Sequence, residues 1–480
     1  MRLTSRLQHA QRILSSAIRA CASGVDSLAR IRADYVSTRA RIVLRRAAVS
    51  IVAVSIALSA HADQDGAYDP DFGSVGRTWI DISSSPNDLA TRVLRLPNGN
   101  LFLGGNCGTT SCAAWLTPAG ALASGYGTSG TGTAWYKDFV DWPGDAANTN
   151  DAAVLPDGRV AVVVRSTTGA YLILLKADGS GMDASIGNGF GWVPVPFYAR
   201  LVRRTSQGSF IVAGISTGAP QQVVVARYDS TFHLDTQFGT GGFTTFGLTH
   251  TSPVARGMTL QRDGKIVVIG DSQSSTAAVF IARLTAGGDL DPDFGPSSNG
   301  KYENSFGASS FGCWGTSIVE DKQGRLVFAG YAQTAVGANW LVGRLLSGGA
   351  SDPQFNGGHA QQFTPFSTVG NGQRAYSVGL QSDNRIVASG TMWRAANGAN
   401  YFAVARFNVD GSFDSTWGIG GQSYGDMSTQ APNVRSDDPA SMVIMPGGIV
   451  IGGSTEITGG ETRFVATKMR IDLLFADDFD

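Results

Sequence analysis

Side chains that do chemistry are scarce in this sequence. Of five histidines in 480 residues, only His233, His250 and His359 lie beyond position 62, and they are far apart. That is thin material for a histidine metal centre or a Ser-His-Asp triad. No G-x-S-x-G, H-E-x-x-H or Walker loop occurs, which removes the commonest hydrolase, zinc-protease and nucleotide signatures. Cysteine is equally sparse, four in all, with no C-x-x-C pair to suggest zinc. Cys107 and Cys112 stand in NCGTTSC, close enough to form a disulfide in an oxidising compartment. Cys313 has no partner in the sequence and reads as a small buried hydrophobe. Apolar runs are short as well: AAVSIVAVSIALS (47–59) stops at 13 residues, too few for a comfortable membrane span.

That run belongs to a segment unlike the rest. Residues 1–62 hold ten Arg against two acidic residues, with Arg41, Arg45 and Arg46 just before the apolar run and Ala60-His61-Ala62 just after it. A charged region, a short apolar region and an A-x-A site read as a secretory signal, with cleavage after Ala62. The forty upstream residues imply an extended leader or an internal start such as Val36. The competing reading is an uncleaved anchor helix. Cleavage takes Cys21 away and leaves 27 basic and 36 acidic residues, net −9. No Lys/Arg cluster remains, so nucleic acid is excluded as a partner. The expectation is an exported monomer, periplasmic, surface-bound or extracellular, with no transmembrane segment in the mature chain.

What the sequence has in abundance is repetition. An Asp-x-x-Phe-Gly turn recurs as DPDFG (69–73), LDTQFG (234–239), LDPDFG (290–295), SDPQF (351–355) and FDSTWG (413–418). Weaker forms are GYG (125–127) and MDASIG (182–187). A second landmark, a turn followed by a β-branched run that ends on Gly, appears seven times. Its corners fall at Gly99, Gly158, Gly208, Gly264, Gly324, Asn384 and Gly447, spaced 59, 50, 56, 60, 60 and 63 residues apart. Gly and Asn supply the positive φ of a tight hairpin, and the terminal Gly is expected where the chain turns again. A third run repeats as VVVARYD (223–229), FIARLT (280–285), WLVGRLL (340–346), YFAVARFN (401–408) and FVATKMR (464–470). With the run after each Phe-Gly, each unit has four strands.

Seven units of four antiparallel strands describe an all-β, seven-bladed β-propeller over 63–471, with 472–480 as a tail. The repeats begin and end mid-unit, so the strand GRTWIDI (76–82) is expected to complete the last blade and close the ring. These landmarks resemble the delta-60 repeat family of bacterial propeller repeats, over about 65–470 and best in units four to six. The resemblance implies a secreted or surface propeller and supplies no catalytic residue. The last residues, LLFADDFD (473–480), resemble short Phe-Asp tails of exported proteins from some Gram-negative bacteria.

Function must then lie on loops. The turn aspartates Asp69, Asp71, Asp235, Asp291, Asp293, Asp352 and Asp414 have carboxylate spacing that suits calcium. They also suit hydrogen bonds to nearby backbone N–H groups, the reading we prefer, so no cofactor is expected. The loops joining the fourth strand to the next first strand share a face with those joining strands two and three. They carry Trp135, Tyr136, Asp138 and Trp142 in the longest segment (133–151), Trp314 in 306–315, and Trp393 and Arg394 in 390–400. Exposed aromatics beside polar groups form stacking platforms for sugars or hot spots for proteins. The alternative is that each packs against its own blade. The expected function is therefore a non-catalytic scaffold binding glycan or protein. The runner-up is a calcium-dependent propeller hydrolase or lactonase. The innermost runs at 90–96, 199–205, 255–261, 375–381 and 440–446 contain no carboxylate, and only Asp151, Glu320 and Asp321 flank such positions, which speaks against a channel metal.

Overall fold

The computed structural model describes residues 66–82, 87–136, 139, 148–273, 276–306, 312–335, 337–358, 361–363, 373–394, 399–425, 427, 437–457 and 460–471. The leader, the tail, Asp138, Trp142, His359 and the side chain of Arg394 lie outside the described residues. The described residues form seven four-stranded antiparallel sheets, and the fold is a seven-bladed β-propeller. Blades one to six span 88–135, 148–195, 198–246, 252–304, 313–363 and 374–425. Blade seven takes three strands from 437–469 and its outermost from Arg77–Ile80, which pairs antiparallel with Thr462–Met469, Arg77 opposite Thr467.

Each corner read from the sequence is a hairpin between first and second strands, and all seven corner residues have positive φ, from 65° at Asn384 to 95° at Gly208. Asn is the non-glycine residue that tolerates this best. The second and third strands are buried on both faces, as in Ile266–Gln273 and Ala277–Leu284. Their unbroken apolar runs follow from that. The core is divided into seams between neighbouring blades. One seam joins Leu201, Val225 and Phe238 of blade three to Met258, Val268 and Phe280 of blade four. Another joins Val93, Leu101 and Leu103 of blade one to Val450 and Phe464 of blade seven.

The repeated Ala-Arg-Leu and Asp-x-x-Phe-Gly elements are two halves of one clamp. In blade four Arg283 Nε donates to Asp291 Oδ2 at 2.7 Å, and its guanidinium lies 4.6 Å from the centre of the Phe294 ring. Its Nη1 donates to the Ser347 carbonyl of the next repeat. Arg227–Asp235–Phe238, Arg344–Asp352–Phe355 and Arg406–Asp414–Trp417 repeat the arrangement, with guanidinium-to-ring distances of 5.0, 4.9 and 5.7 Å. Asp291 Oδ1 meanwhile accepts the Asp293 N–H at 3.0 Å. Both oxygens of this carboxylate are thus held by protein donors.

Candidate functional site

In every blade the innermost strand slips register against the second strand once, at the same height. The slips fall between Ala90/Arg92, Thr149/Asp151, Ala199/Leu201, Ala255/Gly257, Gly315/Ser317, Ala375/Ser377 and Pro439/Ser441. Each is a β-bulge, which pushes one residue out of the ladder and re-aims its side chain. The extra residues are Thr91, Asn150, Arg200, Arg256, Thr316, Tyr376 and Ala440, and all seven line the central channel. They sit near the starts of the innermost strands, on the face that carries the fourth-to-first and second-to-third connections.

The local sequence explains the bulge. Opposite it, on the second strand, stand Gly105, Gly214, Gly270, Gly330, Gly390 and Gly453. A Cβ at any of them would fall under 3.0 Å from the carbonyl oxygen of Leu89, Tyr198, Val254, Trp314, Arg374 or Asp438 respectively. The Gly that ends each β-branched run is therefore not where the chain turns. Strand Ile266–Gln273 continues three residues past Gly270. The Gly is there because the bulged backbone comes too close for any side chain. Blade two departs from this, with Val164 opposite Thr149.

The mouth of the channel encloses about 200 Å³, lined in part by Arg200, Arg256, Tyr331 and Tyr376. Trp314 stacks on Tyr331, ring centres 4.9 Å apart and 16° from parallel. Arg374 lies 5.1 Å over the same Tyr331 ring and hydrogen-bonds Tyr376. Arg165 lies 4.5 Å over Tyr198. Among the described residues two carboxylates stand against these four guanidiniums. Asp271 is buried and paired with Arg256, and Asp438 is at the rim. Burial, then repulsion from Arg256 and Arg165, lowers the pKa of Arg200 from its ordinary value. Burial raises Tyr331 and Tyr376 against the pull of nearby arginines, so both phenols stay protonated at neutral pH and act as hydrogen-bonding groups rather than bases. Desolvation lifts Asp438, opposed by Arg374. The arrangement can bind a negative group, and its carboxylates among the described residues are Asp271 and Asp438.

Of the aromatics singled out from sequence, Trp314 joins this cluster. Tyr136 does not: it is fully buried between blades one and two, stacked on Phe139 at 5.1 Å and 20°. The apolar seam there takes the ring, so it offers no face to a ligand. Trp135 is half-buried against the seam between blades seven and one. Trp393 is half-buried on the second strand of blade six, opposite Asn400.

Cys107 and Cys112 form a disulfide, Cα–Cα 5.8 Å. Cys313 is a buried free thiol whose Sγ donates to the Asn304 carbonyl at 3.3 Å, and burial pushes its pKa up to about 11. His250 Nδ1 faces Ser272 Oγ at 3.4 Å and Glu303 at 3.7 Å. Serine and acid meet the same ring nitrogen, so this is no triad, which needs them on opposite nitrogens.

The absence of carboxylates from the innermost runs does not reveal this cluster, because the cluster is built of arginine. The signal was present in Ala199-Arg200 and Ala255-Arg256. Asp271 escaped notice because it lies on a second strand.

A family model described as "Domain of unknown function (DUF5122) beta-propeller" matches residues 261–294 and 381–416, running from corner to Phe-Gly or Trp-Gly turn in blades four and six. The chain thus carries repeats like those of a β-propeller domain family. None of the curated proteins compared matches it in sequence. Among solved structures, it is similar to a polysaccharide lyase, an ulvan lyase, with 10% identity over 80% of this chain and 95% of that one, TM-score 0.48. A protein from Lactobacillus plantarum shows 13% identity over 76% and 94%, TM-score 0.40. The extracellular domains 1-2 of Drosophila Semaphorin 1b show 10% identity over 85% and 87%, TM-score 0.41. Likeness at that level says nothing about what this chain does.

Proposed function

We propose that the protein is an exported, non-catalytic binding module that holds an acidic saccharide at the loop-face mouth of its channel. The observation that carries this is the convergence of Arg165, Arg200, Arg256 and Arg374 on a rigid ring with two carboxylates against them among the described residues, beside the Trp314–Tyr331 stack. Guanidiniums recognise carboxylate and sulfate groups through paired hydrogen bonds. An aromatic ring packs against the apolar face of a pyranose.

Titration calorimetry against uronate-containing, sulfated and neutral polysaccharides tests it. An acidic glycan is expected to bind, more weakly as salt rises, since screening acts on partly exposed charges. Arg256→Ala and Arg374→Ala each remove a charge-assisted contact of roughly 1.5–3 kcal/mol, about 10- to 150-fold in affinity. Binding of neutral glycans alone, or binding indifferent to salt and to both substitutions, overturns the reading. So does turnover of lactone or ester substrates that a calcium chelator abolishes.

A further inference from the structure

Below the mouth the channel narrows to an inner chamber of about 100 Å³, and its charges do not balance. Asp151 is its buried carboxylate. Asp151 Oδ2 accepts from Arg203 Nη1 and, at 3.1 Å, from the Val202 N–H. Arg92 Nε lies 3.1 Å from Asp151 Oδ1 but outside hydrogen-bond geometry. Arg203 also donates from Nε to the Met258 carbonyl at 2.9 Å and from Nη1 to the Val202 carbonyl at 2.7 Å. The described residues offer no acceptor to Arg203 Nη2 or to either terminal nitrogen of Arg92. Two guanidiniums thus share one carboxylate, whose Oδ2 accepts twice while its Oδ1 has only the ion-pair contact of Arg92 among the described residues. The third arginine of the chamber, Arg256, has its own carboxylate, Asp271, on Nε.

The wall adds donors. Ser441 Oγ accepts the Val93 N–H at 2.7 Å and Ser317 Oγ accepts the Val378 N–H at 3.2 Å. Each hydroxyl proton is thereby left to donate into the chamber. Burial, with Arg203 adding and Asp151 opposing, pushes Arg92 down to about 10, so it remains a cation at neutral pH. The Arg92 side chain keeps 25% of its surface open to this space and shares its one carboxylate with Arg203, which leaves an excess positive charge facing a cavity with room for a small ion.

We propose that the inner chamber is a binding site for one small oxyanion of sulfate or carboxylate type, held between Arg92 and Arg203 with Ser317 and Ser441 as further donors. The site goes beyond the mouth and does not depend on a glycan binding there. A free inorganic ion and the terminal acid group of a longer ligand present the same chemistry.

The probe is inorganic sulfate, followed by calorimetry at fixed ionic strength, with chloride replacing it in the control. One sulfate per chain is expected to bind the wild type. Arg92→Gln should weaken it about tenfold or more, the loss of a charge-assisted pair, while Asp151→Asn, which removes the internal counter-charge, should tighten it. Arg374→Ala, at the mouth, should leave it within twofold. A short acidic oligosaccharide that competes with sulfate identifies its terminal group as the natural occupant, and one that binds alongside sulfate identifies the free ion; both outcomes support the site. Equal sulfate binding by wild type and Arg92→Gln, no sulfate binding at all, or loss on Arg374→Ala alone overturns it. Should Arg92→Gln not fold, crystals of the wild type soaked in selenate decide instead: no anomalous peak between Arg92 and Arg203 overturns the proposal.

Discussion

Gly270→Ala tests the link between repeat sequence and channel most directly. Two effects oppose each other. Replacing glycine in a strand restricts the unfolded chain and favours folding by about 0.5–1 kcal/mol. The new methyl, however, would fall under 3.0 Å from the Val254 carbonyl and from the Phe280 ring edge. Backbone against backbone cannot rotate aside, and forced overpacking costs about 1–3 kcal/mol or more. The clash wins, for a net loss of about 1–2 kcal/mol. Spread over roughly 400 folded residues at about 2.1 cal/mol/K each, 1 kcal/mol moves Tm by only ~1 °C. The denaturant midpoint and hydrogen exchange across 252–261 are therefore the better readouts. Exchange should quicken there, and Arg256 should lose its place in the mouth, weakening ligand binding with it. Gly218→Ala is the control, since nothing lies within 4 Å of a Cβ at that position and the same entropic gain applies. A Gly270→Ala protein as stable as wild type, or a Gly218→Ala protein equally damaged, refutes the reasoning.

The clamp aspartates should make the fold acid-sensitive. Burial pushes Asp291 up, but the Asp293 N–H, Lys265 and Arg283 outweigh it and hold its pKa below the ordinary 3.8; Asp69 and Asp414 are depressed likewise by their own partners. A carboxyl lower in the folded state contributes stability that is complete above its unfolded value and lost as pH falls through the folded one. Melts should therefore hold from pH 7 to about 4 and fall below it. Asp291→Asn should lose about 3–5 kcal/mol at pH 7 by stranding Arg283 and flatten the acid slope; an unchanged slope contradicts the clamp. Removing 63–83 takes Arg77–Ile80 from blade seven and bares Thr462–Met469 as a sheet edge, so aggregation by light scattering and a lower Tm are expected. A monomer that melts where the chain starting at Asp63 does would show that this strand contributes nothing to the ring.

The fold could be read from the sequence because its determinants recur. Every blade needs a positive-φ corner, from Gly99 to Gly447, and a two-face-buried second strand such as IVVIGDSQ. Blades three to six repeat the Arg-Asp-aromatic clamp. Position-by-position repetition is what the eye detects in a single sequence. Tyr136 misled for the opposite reason: an aromatic in a long polar segment looks exposed, and nothing local says that the seam between blades one and two has room for it.

The candidate site stayed hidden because it occupies the position that does not repeat. The bulge has a glycine across from it in six blades and an alanine before it in four, Ala90, Ala199, Ala255 and Ala375 facing Gly105, Gly214, Gly270 and Gly390. The extruded side chains meet mainly backbone carbonyls, Thr91 that of Gly104, Asn150 that of Ala199, Arg200 that of Ala255 and Thr316 that of Ala375. A carbonyl accepts from any donor, so no single residue type is required. The extruded residue is Thr91, Asn150, Arg200, Arg256, Thr316, Tyr376 and Ala440 in turn. A reading that averages over units erases that position first. It also carries the wrong parity, since one extra residue shifts the strand alternation and turns a side chain expected to face a neighbouring blade toward the channel. In this ring the recurring residues build the wall, and the bulged position facing the channel is the one that differs from blade to blade.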